Sequence, residues 1–128
     1  MSFEAVRGRM LARLHEHGFT DLQPAHLTVF QYPGPQDATP SELAARLGIT
    51  KQALNYLLGE LERLGYLERA PHADDLRSKR IVVTERGSAA IRVIRDAVAE
   101  VEAEWTRRLG EKRFAQLREA LLELNASA

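Results

Sequence analysis

Gln52, Asn55, Tyr56 and Gly59 stand at positions i, i+3, i+4 and i+7 of a leucine-rich stretch. On an α-helix that spacing sets them along one flank. A flank that only meets water favours Glu, Lys and Arg, for solubility and helix propensity. Here the same positions hold two amides, a phenol and a glycine. Gln and Asn side chains can each make a pair of hydrogen bonds to an adenine edge, and a tyrosine can reach a phosphate or a thymine methyl group. Gly59 weakens the helix but allows its backbone to come close to another surface. The chemistry this flank suits is the reading of base edges in a DNA major groove. The competing reading, a poorly optimised solvated face, has all four positions against it.

A second cluster lies a little further on. Residues 69–80 contain Arg69, Arg77, Lys79 and Arg80 against Asp74 and Asp75, a local excess of two positive charges. A basic ribbon tip beside a reading helix suits phosphate or minor-groove contact. Taken alone, the cluster reads equally well as a solvated hairpin tip with an internal Asp–Arg pair.

Both clusters need elements to hold them. Leu54, Leu57, Leu58 and Leu61 form the buried face of the reading helix. Thr50 caps its start, and it runs to Gly65. The helix before it opens with Thr39-Pro40-Ser41-Glu42, a capping box with proline preset in the first turn, and buries Leu43, Ala44 and Leu47. Gly48 ends that helix, and the tight link to Thr50 makes the pair a helix–turn–helix. Segments 66–69 and 80–84 read as two short strands joined by a polar loop.

Upstream, Ser2 caps a first helix of about 15 residues, with Phe3, Val6, Met10 and Leu14 as its stripe and Gly18 as its stop. A second helix starts at Pro24 and runs until just before Pro33-Gly34. Downstream, Thr84 caps a long helix striped by Ile91, Ile94, Val98, Val101 and Trp105, which Gly110 breaks. A last amphipathic helix carries Phe114, Leu117, Leu121 and Leu124. A stripe sustained for that length needs another helix against it. The expected fold is mainly α with a small two- or three-stranded β-wing, a winged helix–turn–helix with flanking dimerisation helices. Residues 21–84 form its core, and residues 1–20 and 85–128 the helical dimerisation elements, all within one integrated domain.

Composition narrows the classes further. The chain has 128 residues, 45% of them apolar, and a formal net charge of zero, so any hold on DNA relies on charge placed locally. No apolar run approaches the roughly 20 residues that cross a bilayer, and the first residues lack the apolar core of a signal peptide. The expected location is the cytoplasm. With no cysteine, disulfides, thiolate metal sites and thiol chemistry are all excluded.

Three other chemistries compete poorly. His15 and His17 are two apart, so on a helix they point in different directions, and with Glu16, His26 and His72 they do not reach the i, i+4 spacing of a helical chelate. No metal or other cofactor is expected. Ser41, Ser78 and Ser88 lack nucleophile-elbow glycines, and Asp74-Asp75 sit in a polar tip where nothing would raise a pKa, so an enzyme is not expected. His26, Phe30, Tyr32 and Trp105 have the composition of a small-molecule pocket, although such residues are more often core.

Taken as a set, Thr50-Lys51-Gln52-Ala53-Leu54-Asn55-Tyr56-Leu57-Leu58, Leu64-Gly65-Tyr66-Leu67-Glu68-Arg69 and Asp75-Leu76-Arg77-Ser78-Lys79-Arg80, ahead of Val83-Thr84-Glu85-Arg86-Gly87, resemble the MarR family of bacterial regulators. The resemblance spans residues 22–124. It implies a homodimer with interlocked terminal helices, on double-stranded DNA carrying a pseudo-palindromic operator. It also implies a repressor that a small-molecule effector releases. Under it Arg77 matches the wing arginine that enters the minor groove, Asp75 the wing acid that helps hold it, and the fourth helix the major-groove reader. Thr50, Lys51, Gln52, Asn55, Tyr56, Gly59, Arg69, Arg77, Lys79 and Arg80 are thus the candidate DNA contacts. Asn55-Tyr56 stand where many members carry an arginine, so base preference does not transfer. The alternative role for a winged helix is a protein–protein adaptor that binds no DNA.

Overall fold

A computed structural model describes residues 3–31, 33–71 and 79–126. Six helices and two strands follow in the order α1 (Phe3–Glu16), α2 (Pro24–Leu27), α3 (Pro40–Leu47), α4 (Lys51–Arg63), β1 (Leu67–Pro71), β2 (Lys79–Val83), α5 (Glu85–Leu109) and α6 (Glu111–Ala126). The expected Ser2 cap lies outside the described residues.

Local signals set most of these boundaries. The Thr39 hydroxyl accepts from the Glu42 amide at 3.2 Å, the Thr50 hydroxyl from Ala53 at 3.0 Å and the Thr84 hydroxyl from Gly87 at 3.1 Å. Each satisfies an amide that the first helical turn leaves without an intrahelical partner. Gly48, at φ 70°, is the left-handed residue that turns α3 into α4. A side chain there would be strained, so the tight link requires glycine.

The second helix is much shorter than its sequence suggests. It closes at Leu27, and the chain then continues in turns, with Val29, Phe30 and Gln31 each donating to the carbonyl three residues back. Thr28-Val29 are β-branched, which costs rotamer freedom in an α-helix, and the i−3 pattern still buries Val29 and Phe30.

β1 and β2 pair antiparallel, from Leu67 opposite Val83 to Pro71 opposite Lys79. Beside β2 the chain adds a one-residue edge: the Asp37 amide donates to the Ile81 carbonyl, and the Ile81 amide donates to Ala38, both at 2.8 Å. Asp37 holds a left-handed φ of 65° to do so. The sheet proper has two strands.

The core joins these elements through Leu14, Leu22, Leu43, Leu54, Leu58, Leu61 and Ile81, all fully or almost fully buried. α1 packs along α5. Arg9 grips Glu104 by two hydrogen bonds, at 3.0 and 3.1 Å, and Arg13 grips Glu100 by two more, at 2.9 and 3.0 Å. Those bonds hold both carboxyls below the usual carboxylate range. Pairs this open to water add little stability, but four directed bonds set the register of α1 on α5.

The hairpin is anchored to α5 by a denser joint. Tyr66, wholly buried, donates its hydroxyl to Asp21 at 2.5 Å. Arg86 stacks over the Tyr66 ring at 4.3 Å, donates to Asp21 at 3.1 Å and caps the Leu64 carbonyl. Burial alone would raise the Asp21 carboxyl, yet Tyr66 and Arg86 outweigh it and hold the group below its ordinary range. Burial and then the same carboxylate push the Tyr66 hydroxyl upward.

Candidate nucleic-acid interface

α4 divides as its sequence requires. Leu54, Leu58 and Leu61 are buried, with Leu57 half-buried beside them. Lys51, Gln52 and Gly59 are exposed, Tyr56 is 68% exposed, and Asn55 is half-buried. Among the described residues the side chains of Gln52 and Tyr56 have no hydrogen-bond partner. A Cβ placed on Gly59 would meet nothing within 4 Å. From Gln52 to Gly59 the helix therefore presents an open polar flank made of uncharged residues. Thr50 stands at the start of that flank, its hydroxyl occupied in capping the helix.

The wing cations separate into different surroundings. Lys79 is exposed at the end of β2. Arg80 is tied at 2.7 Å to Asp37, so its charge is partly answered within the protein. Arg69 turns onto α4: its Nη2 donates to the Asn55 carbonyl at 3.3 Å, and its Nε lies 3.7 Å from a Glu62 oxygen. Arg77 and Asp75, the expected wing arginine and its support, lie outside the described residues, as does Tyr32.

The remaining residues expected to line a pocket have other work. His26 is buried; its Nδ1 accepts from the Gln23 amide at 2.9 Å, so the proton sits on Nε2, which donates to Glu60 at 3.1 Å. Phe30 packs edge-on to Tyr66, with ring centres 6.5 Å apart, inside the core. Trp105 lies against Phe114 across the α5–α6 corner, at 6.3 Å. A groove of about 360 Å³ runs elsewhere, between the turn at residues 33–36 and the first turns of α5, where Ser88, Arg92 and Arg95 line it. Among the described residues no group of three or more His, Asp or Glu is placed to hold a metal ion, and no helix is long and apolar enough to cross a membrane.

Sequence reasoning did not anticipate Asp21, Asp37 or the direction taken by Arg69. Asp21 and Arg86 are 65 positions apart, and Asp37 and Arg80 are 43 apart. No local pattern announces such pairs.

Residues 17–78 match the model of the MarR family. Solved structures agree over nearly its full length. FabT of Streptococcus pneumoniae, solved in complex with DNA, superposes with a TM-score of 0.79 at 24% identity, over 95% of this chain and 86% of that one. The S. aureus MepR–DNA complex gives 0.71 at 22% identity, over 98% and 91%. The transcriptional regulator Tm0710 from Thermotoga maritima gives 0.60 at 27% identity, over 97% and 86%. The fold is thus the winged helix of MarR-family transcription regulators. The family match runs from the turn before α2 through the α3–α4 pair and β1, while the structural likeness extends over α5 and α6 as well.

Proposed function

We propose that the chain is a sequence-specific regulator of transcription that binds double-stranded DNA as a homodimer. It would act as a repressor on a pseudo-palindromic operator. The observation that carries this reading is the outward flank of α4, polar, open and, among the described residues, without side-chain partners at Gln52 and Tyr56. DNA-bound structures of two proteins sharing the fold support it.

One reading helix offers few base contacts, each worth about 1–3 kcal/mol of discrimination. Two copies set about 34–36 Å apart reach successive turns of the same groove face. The pairing surface on this reading is α6, where Leu117 and Leu121 are each 40% exposed, Leu122 59% and Leu124 67%. Four exposed leucines on one helix are a surface that a second copy would cover. Residues 1–20 and 85–128 then serve as the dimerisation elements around the core at 21–84. Thr50, Lys51, Gln52, Asn55, Tyr56 and Gly59 face the major groove, and Arg77, Lys79 and Arg80 reach backbone or minor groove. Release by a small molecule belongs to the same reading. The groove beside Arg92 and Arg95 suits an organic anion, in a place that joins the winged core to α5.

Selection of bound fragments from random DNA, followed by titration at several salt concentrations, tests the proposal. The expected result is one enriched half-site repeated with two-fold symmetry. Gln52→Ala, Asn55→Ala and Tyr56→Ala each lose about tenfold on the operator and little on a scrambled duplex, whereas Arg77→Ala also lowers the salt slope. Light scattering should give twice the 14.4 kDa chain mass. Substitutions without effect on DNA affinity would turn the assignment toward a protein–protein adaptor.

A further inference from the structure

We infer that Arg69 is a positioning residue for the reading helix: it sets the angle between α4 and the wing through the Asn55 carbonyl and the Glu62 carboxylate, and does not contact a phosphate. The inference rests on the DNA-reading role proposed for α4.

Arg69 is the central residue of β1, opposite Ile81 on β2. A cation meant for a phosphate would extend into solvent from such a hairpin. This one lies half-buried, with its side chain 26% exposed, against the flank of α4. Its Nη2 donates to the Asn55 carbonyl, which as a mid-helix acceptor has a second lone pair free for it. Its Nε is buried without a hydrogen-bond partner and faces Glu62 at ionic distance only. Asn55 and Glu62 stand two helical turns apart on one flank. A single guanidinium thus ties the strand to α4 at two points.

That geometry uses what is particular to arginine. A planar fork can address a carbonyl and a carboxylate at once, whereas an ammonium is a single point charge on a flexible stem. To reach DNA, Arg69 would have to abandon both partners and leave the Glu62 carboxylate unpaired beside the polyanion. Held as it is, it fixes the backbone at Asn55, one of the residues proposed to read bases. A rotation of α4 against the wing would move the two readers out of step, because base-edge hydrogen bonds tolerate little displacement.

The test compares operator and scrambled duplexes by fluorescence anisotropy across a salt series, on full-length wild type and on Arg69→Gln, Arg69→Lys and Glu62→Gln. A positioning role predicts that Arg69→Gln and Arg69→Lys both lose about tenfold on the operator and stay within about twofold on the scrambled duplex, with the salt slope unchanged. Glu62→Gln should lower the ratio of the two affinities by a smaller factor, although it removes a negative charge. Its exposed site keeps the test available if an Arg69 variant folds poorly. A phosphate contact predicts otherwise: Arg69→Lys near wild type, Arg69→Gln weaker on every sequence, and a slope reduced by about one for each bound protomer. Either of the first two outcomes would overturn the inference while leaving the regulator reading intact. A wild-type protein that prefers no duplex overturns both.

Discussion

The joint at Tyr66 and the outward flank of α4 lie at either end of a few residues of chain, and their polar groups are treated in opposite ways. At the joint, the Tyr66 hydroxyl, the Asp21 carboxylate, the Arg86 guanidinium and the Leu64 carbonyl all find partners within the protein. On the α4 flank, the side chains of Gln52 and Tyr56 have none among the described residues. Hydrogen bonding that is complete within the fold rigidifies it and is costly to disturb. Groups left open to water cost nothing to stability and stay available to another molecule. The difference predicts a division of mutational effects: at the joint stability should fall, and on the flank recognition should fall alone.

The largest expected effect is Gly87→Ala. A Cβ there would sit 2.2 Å from the Tyr66 carbonyl oxygen and 2.9 Å from a Val83 methyl group. Neither neighbour is the free end of a flexible side chain, so the first turn of α5 would have to move away from Tyr66 and the end of β2. The expected loss is about 3 kcal/mol, the upper range for overpacking, which corresponds to a fall in Tm of roughly 10 °C. Thermal melting at one fixed concentration checks it, since Tm of a dimer depends on concentration. A loss below about 1 kcal/mol would mean that the joint is not rigid, and the contrast would collapse.

Asp21→Asn should come next, at about 1–2 kcal/mol, because asparagine still accepts from Tyr66 but no longer meets Arg86 as an anion. This pair also has a pH signature. Asp21 titrates below its ordinary range in the folded chain, so the unfolded chain binds the proton more tightly. The stabilisation is therefore complete above about pH 4 and fades as pH falls through the depressed value. Urea unfolding between pH 7 and pH 3 should show a shallower acid decline in Asp21→Asn than in wild type. Parallel curves would remove the ion pair from the account.

These two regions also show which parts of the molecule could be read in advance. The caps at Thr39, Thr50 and Thr84 and the turn at Gly48 are local, determined by residues within four positions, and the structure has each of them. The outward setting of Gln52, Tyr56 and Gly59 follows in the same way, since the leucines at Leu54, Leu58 and Leu61 leave that flank nowhere else to go. The motif running from Thr84 to Gly87 was recognisable, but its reason was not: Gly87 is required by a carbonyl 21 positions earlier. Residues 28–31 misled because Leu27, Val29 and Phe30 bury equally well from an α-helix and from a run of tighter turns. The direction of Arg69 was not legible, because charge alone does not say which way a strand residue points. What escaped was set by tertiary contact.

The smallest effect is the most discriminating, because its two readouts should move in opposite directions. Gly59 lies in the middle of α4 without a left-handed φ, and an added methyl group would meet nothing within 4 Å. Glycine in a helix interior costs about 0.5–1 kcal/mol relative to alanine. Gly59→Ala should therefore stabilise the free protein by up to about 1 kcal/mol, raising Tm by a few degrees. The same methyl group would stand on the flank shared with Gln52 and Asn55, in space that a closely approaching groove would occupy. Operator affinity should fall by a few-fold as Tm rises. A variant that melts higher and binds unchanged would show that α4 does not approach DNA closely at this position. One that fails to melt higher would show that something other than backbone freedom sets the stability of this turn.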